Sequence, residues 1–185
     1  MHKTNPASLH LGIAERGKMH ALAGDYPEAL RHYREALRMA QEQSDTNVFF
    51  QHYTQCVMES LERSGAHTEV ISYCEKVNQH FEEHPADTTL GRRQHAAVLE
   101  RWAVQLIRQG EGTDSRQLLE EAQKLTGRGV HPLTDALLNW VQRGFAISTQ
   151  QLEQVQTRHH YFVVRQDQIN EQIAIDLPKV AGPLI

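Results

Sequence analysis

An all-α fold is what this sequence predicts, and three observations predict it. Apolar residues recur at helical spacing along nearly the whole chain. Turn-forming residues punctuate that pattern at intervals that leave about eight helices of ordinary length. Only one short segment, HYFVV around Tyr161, has the β-branched and aromatic density of a strand. With 185 residues the chain is long enough to bury a core without disulfide or metal staples.

The elements follow in order. A first helix spans about residues 7–23 and turns at Gly24-Asp25-Tyr26-Pro27 into a second that runs to about residue 43. Pro27 stands in the opening turn, where a missing N–H costs nothing, and Asp25 or Tyr26 is placed to cap. Two more pairs are expected: residues 48–63 with 68–83 around Ser64-Gly65, and residues 92–109 with 114–125 around Gly110. Residues 131–147 read as a capping helix whose buried stripe is Leu133, Leu137, Trp140, Val141 and Phe145. From Ser148 a heptad-like stripe runs through Leu152, Val155, His159, Phe162, Gln166, Ile169 and Ile173. That long helix can pack on its own domain or pair with a second copy to make a homodimer, and its HYFVV centre also fits a strand. The expected organisation is therefore a helical domain over 1–147 and a C-terminal segment over 148–185.

The turn glycines Gly24, Gly65 and Gly110 are 41 and 45 residues apart, which suggests a repeated helix pair. In the first pair, Gly17, Gly24, Tyr26, Ala29, Tyr33 and Ala36 place a small residue in the first helix, a turn glycine, and aromatic and alanine positions on one face of the second. This pattern resembles the tetratricopeptide repeat family. The second pair departs from it, with Val70, Cys74, Val77 and Met58, and so does the third, with Ser115, Leu119, Ala122 and Ala103.

The resemblance implies a tetratricopeptide-like superhelix of about three helix pairs plus C-terminal capping helices. It also implies a concave groove lined by the first helix of each pair. The rows so placed are Leu11, Ala14, Lys18 and Ala21; His52, Gln55, Glu59 and Glu62; and Ala97, Glu100, Val104 and Ile107. Lys18, His52, Gln55, Glu59, Glu62, Glu100 and Arg108 are the implied partner-binding residues. Ala14 and Lys18 occupy the two places where some family members clamp a peptide carboxylate, so that mode is not expected. The acidic members suit a basic, apolar polypeptide segment.

Other classes find less support. The formal net charge of −4 offers no general attraction for nucleic acid or anionic lipid. Cys56 and Cys74 lie in helical segments and read as reduced core thiols, with a single bridge between them as the alternative. Glu15, Arg16 and Lys18 interrupt any N-terminal apolar run, and no window is long and apolar enough for a membrane span, so a cytoplasmic protein is expected. Phosphate loops, nucleophile elbows and dinucleotide fingerprints are missing. Arg31, Arg34 and Arg38 alternate with Glu28, Glu35 and Glu42 as on a solvated helix face.

One string matches an inverted zincin pattern: HFEEH, in which His80 and His84 share a helical face beside Glu83. Pro85 follows directly and places it at a helix end. The adjacent His159 and His160 point in different directions on a helix. The reading is a non-enzymatic scaffold or adaptor that binds a polypeptide in its groove and needs no cofactor. The alternatives are a zinc-dependent hydrolase or metal-binding protein using HFEEH, and a peptide-sensing regulatory protein.

Overall fold

The computed structural model describes residues 6–42 and 47–178. Among them the protein is all-α, with no strand. The helices are α1 (Pro6–Leu22), α2 (Tyr26–Glu42), α3 (Asn47–Arg63), α4 (His67–Glu83), α5 (Thr89–Gln109), α6 (Gly112–Thr126), α7 (Pro132–Gln142) and α8 (Thr149–Arg158). None is long and apolar enough to cross a membrane. Cys56 and Cys74 are both buried and are not joined in a disulfide.

The chain forms two compact units, Met1–Gly65 with Val163–Ile185 and Ala66–Phe162. The sequence reading places a division at Ser148. The boundary falls at Gly65, so the helices expected to form the second pair belong to different units: α3 packs on α2, and α4 packs on α5.

The three turn glycines share one conformation. Gly24, Gly65 and Gly110 have φ of 81°, 84° and 83°, in the left-handed region that an L side chain enters only at a cost. Each donates its N–H back to the preceding helix, to Ala21, Glu62 and Ile107 respectively, which satisfies a terminal carbonyl. The next amide also reaches back at two of them, Asp25 to His20 and Glu111 to Leu106, the double closure of a Schellman cap.

In the first unit α1, α2 and α3 pack in sequence. Ala29, Tyr33 and Ala36 are fully buried on one face of α2, the face their spacing predicts. The Tyr33 ring lies against Gly17, where an added β-carbon would stand 2.7 Å from Cε1. Burial holds the Tyr33 phenol far above its ordinary pKa, so it stays neutral. Ile13, Ala14, Ala40 and Tyr53 continue this core, and the Tyr53 hydroxyl meets Nδ1 of buried His10 at 2.7 Å.

In the second unit α5 is central, packed on α4 and α6, while α7 packs on α6 and α8. Ala103, Val104, Ile107, Leu119, Leu133, Leu137, Leu138, Leu152 and Val155 form its main apolar cluster. Leu133 and Leu137 lie in it as expected, whereas Phe145 lies beyond the end of α7 and is 59% exposed.

The long C-terminal helix does not form. α8 stops at Arg158, His160 takes a positive φ of 51°, and residues 161–178 continue as extended chain with two short 3-10 turns. Tyr161, Phe162, Val163 and Val164 are poor helix formers with strand-like preferences. They run extended without a strand partner, so the heptad spacing from His159 to Ile173 has no helix to act on.

The Gly17 contact gives a direct test. A Gly17→Val substitution drives two methyl groups into the Tyr33 ring and should destabilise the first unit by about 1–3 kcal/mol. Thermal or urea unfolding measures it, and an unchanged midpoint would contradict this packing.

Candidate functional site

The structure turns most of the expected groove residues toward the protein's own chain. Lys18, Glu59, Glu62 and Glu100 are buried, at 7%, 2%, 4% and 8% exposure. Helical spacing does place them on inward faces, but those faces are already covered.

In the first unit the cover is the extended C-terminal segment. The Glu59 carboxylate accepts the Val163 N–H and, at 3.0 Å, the Val164 N–H. One oxygen of Glu15 accepts the Asn170 N–H at 2.8 Å, and the other accepts from Lys18 Nζ at 2.6 Å. Farther along, the Ile175 N–H donates to the Gly12 carbonyl at 2.9 Å, and the Leu177 N–H to Nε2 of His32 at 3.2 Å. Arg16 donates to Asp176 at 2.7 Å, and Arg31 to the Pro178 carbonyl at 3.1 Å.

An extended segment has no hydrogen bonds of its own for its amides, and these side chains supply the missing acceptors. Lys18 and Glu59 therefore hold the tail of the same chain. Gly12 lets that tail approach, since an added β-carbon would meet the Ile173 carbonyl oxygen and stand 2.6 Å from Ile175 Cδ1.

The other expected residues divide similarly. His52 is half-buried near Cys56, its Nε2 3.8 Å from the sulfur, and Gln55 is exposed on α3. In the second unit Arg108 donates to Gln156 at 2.9 Å. Glu100 reaches from α5 to the start of α7, where one of its oxygens accepts the Thr134 N–H at 2.9 Å and the Thr134 hydroxyl at 2.6 Å. Thr134 is in the first turn of α7, whose preceding residue His131 makes no side-chain cap. Glu100 is thus a tertiary cap, a carboxylate at the positive end of a helix.

HFEEH lies at the end of α4. The rings of His80 and His84 stack at 4.9 Å and both residues are exposed, while Glu82 accepts from Asn78 and Glu83 from Gln79. Among the described residues it does not assemble a three-ligand group. His159 and His160 fall at the end of α8, where the helix stops.

The second unit carries an acidic groove between α4, α5 and α6 with a volume of about 490 Å³. Glu75 and Glu82 line it from α4, Asp114 and Glu121 from α6, Glu111 from the turn before α6, and Trp102 from α5. Among the described residues no Lys or Arg lines it. Glu75 and Glu82 are seven residues apart, as are Asp114 and Glu121, so each pair occupies one face of its helix. Ile71, Leu106 and Leu118 give the groove an apolar component. Beneath it His95 Nε2 donates to Asn78 Oδ1 at 2.7 Å while Phe81 stacks on the imidazole at 4.5 Å. This pair fixes α4 against α5.

Sequence reasoning missed the groove. The acid spacing was legible, but only the packing shows which acidic faces oppose one another. Comparison with known proteins finds no matching family model, no matching curated protein and no matching solved structure.

Three outcomes check this description. Gly12→Ala should leave α1 intact or slightly favoured, by up to about 1 kcal/mol of helix propensity, yet expel the tail; hydrogen exchange would show faster exchange over residues 163–178. Glu100→Ala should cost about 2–3 kcal/mol, because the Thr134 amide loses a charged acceptor, and chemical unfolding would measure it.

Burial is the leading cause that holds His52 and His95 below the ordinary histidine pKa. The folded protein then binds fewer protons than the unfolded chain, so their contribution is present above about pH 6.5 and is lost as pH falls toward the folded-state values. Thermal midpoints should accordingly be lower at about pH 5.5 than at about pH 7.5.

Proposed function

We propose that this protein is a protein-binding adaptor, and that the acidic groove of α4, α5 and α6 takes a polypeptide segment carrying basic and apolar side chains. The observation that carries this reading is the gathering of Glu75, Glu82, Glu111, Asp114 and Glu121 around Trp102 in a groove that no Lys or Arg lines among the described residues.

Acidic walls attract and orient a cationic segment, and the Trp102 indole offers an aromatic surface for an arginine or lysine stem. The apolar floor gives the packing that charge alone does not supply. The tail held in the first unit gives a physical precedent, since helix faces of this protein already hold an extended chain through side-chain acceptors. The tetratricopeptide-like reading agrees with such a role, with α1 and α2 as the helix pair closest to the family pattern and α5 and α6 as a second, more divergent one. A superhelical arrangement of the pairs belongs to this proposal.

A synthetic peptide array that varies basic and apolar content, probed with the full chain, tests the reading. Basic, apolar peptides should bind, and their affinity should fall as salt rises. Glu75→Lys with Glu121→Lys should reduce that binding about tenfold or more. If no basic peptide binds, or if the double variant binds equally well, the groove is not the site.

A further inference from the structure

Away from the acidic groove, two histidines and a carboxylate converge in the first unit. His20 comes from α1, His32 from α2 and Asp176 from the C-terminal tail. Asp176 Oδ1 lies 3.7 Å from Nε2 of His20 and 3.7 Å from Nε2 of His32. The two imidazole centroids are 4.9 Å apart, and one ligand atom from each of His20, Glu28 and His32 lies within 4.8 Å of the others.

We propose that His20, His32 and Asp176 bind a zinc ion that fastens the C-terminal tail to the α1–α2 hairpin. The proposal is independent of the acidic-groove reading.

Several observations point to a metal rather than to a simple polar cluster. Nε2 of His20 is sealed from solvent and makes no hydrogen bond of normal length, its nearest polar neighbour being Asp176 Oδ1 at 3.7 Å. His32 is fully buried, and its Nδ1 donates to the Glu28 carbonyl at 2.8 Å. That bond fixes the tautomer and leaves Nε2 as the basic nitrogen, the orientation in which backbone carbonyls commonly hold metal-binding histidines.

Arg16 orients the Asp176 carboxylate through its 2.7 Å bond, and Arg31 holds Glu28 at the rim with a contact of 2.7 Å. Bond lengths of about 2.0–2.1 Å to tetrahedral zinc put neighbouring ligand atoms about 3.3–3.4 Å apart. The 3.7 Å separations of Asp176 Oδ1 from the two Nε2 atoms need only a few tenths of an ångström of closure, and the two imidazoles, with centroids 4.9 Å apart, turn toward each other to complete the set. On binding, His32 Nε2 exchanges the Leu177 amide for the metal, and that amide, on a half-exposed segment, turns to water. Water takes the fourth zinc position.

Two nitrogens and one oxygen with an open place suit zinc better than the oxygen-only preference of calcium or magnesium. The site also crosslinks distant parts of the sequence, so metal binding should raise the stability of the tail contact.

The full chain, stripped with chelator and titrated with zinc chloride by calorimetry, provides the test, with bound metal measured independently by elemental analysis. A single zinc ion of micromolar affinity or tighter is expected, with a higher thermal midpoint. Cobalt in its place should give the visible absorption of a low-coordinate site.

His20→Ala and Asp176→Asn should each weaken zinc binding about tenfold or more. His20 and Asp176 are partly exposed, so both variants should fold, which circular dichroism without metal verifies. A His80→Ala, His84→Ala variant should bind zinc as the parent does. No uptake by the parent chain, unchanged affinity in either His20→Ala or Asp176→Asn, or loss confined to the His80, His84 variant would each overturn the proposal.

Discussion

The need of a non-helical tail for hydrogen-bond acceptors shapes the first unit. Once the chain leaves α8, the amides of Val163, Val164, Asn170, Ile175 and Leu177 have no helical ladder to join. Glu59, Glu15, the Gly12 carbonyl and His32 provide their acceptors. A carboxylate is costly to bury by itself, and a row of backbone amides is costly to leave unpaired. Together they remove both costs. This explains why acidic residues sit on an inward face where apolar ones would ordinarily stand.

The same logic operates in the second unit between elements rather than along a tail. Glu100 on α5 satisfies the first turn of α7, which otherwise lacks a side-chain cap, and Gln105 on the same helix meets His67 at 2.7 Å. α5 thereby fixes its neighbours by polar contacts as well as by Leu99, Ala103 and Val104. Glu75, Glu111, Asp114 and Glu121 are among the acidic residues outside these bonds, and they line the groove. Position therefore separates the carboxylates into two groups: those buried against amides organise the fold, and those around Trp102 line an open groove.

The protein's own tail makes a second point about recognition. Its contacts are largely to the backbone, with Arg16 and Arg31 adding charge from the sides. Backbone capture holds a segment without demanding a particular sequence, while the residues around it set register. Gly12 matters for the same reason, because the carbonyl of Ile173 comes close to the space a side chain would fill.

What the sequence determined by itself was local. The helical periodicity, the three left-handed turn glycines and the Ala29, Tyr33 and Ala36 face were all legible, because each depends on residues within a few turns of one another. The HYFVV composition already favoured extended backbone, although the heptad spacing around it suggested a continued helix. Tertiary structure decided the rest. Whether Glu59 meets solvent or Val163 depends on a chain segment about a hundred residues away, and helix spacing carries no information about that return path. The opposition of the acidic faces of α4 and α6 across Trp102, and the meeting of His20 and His32 with Asp176, are likewise set by packing. Periodicity names the face of a helix; only the folded chain names what stands opposite it.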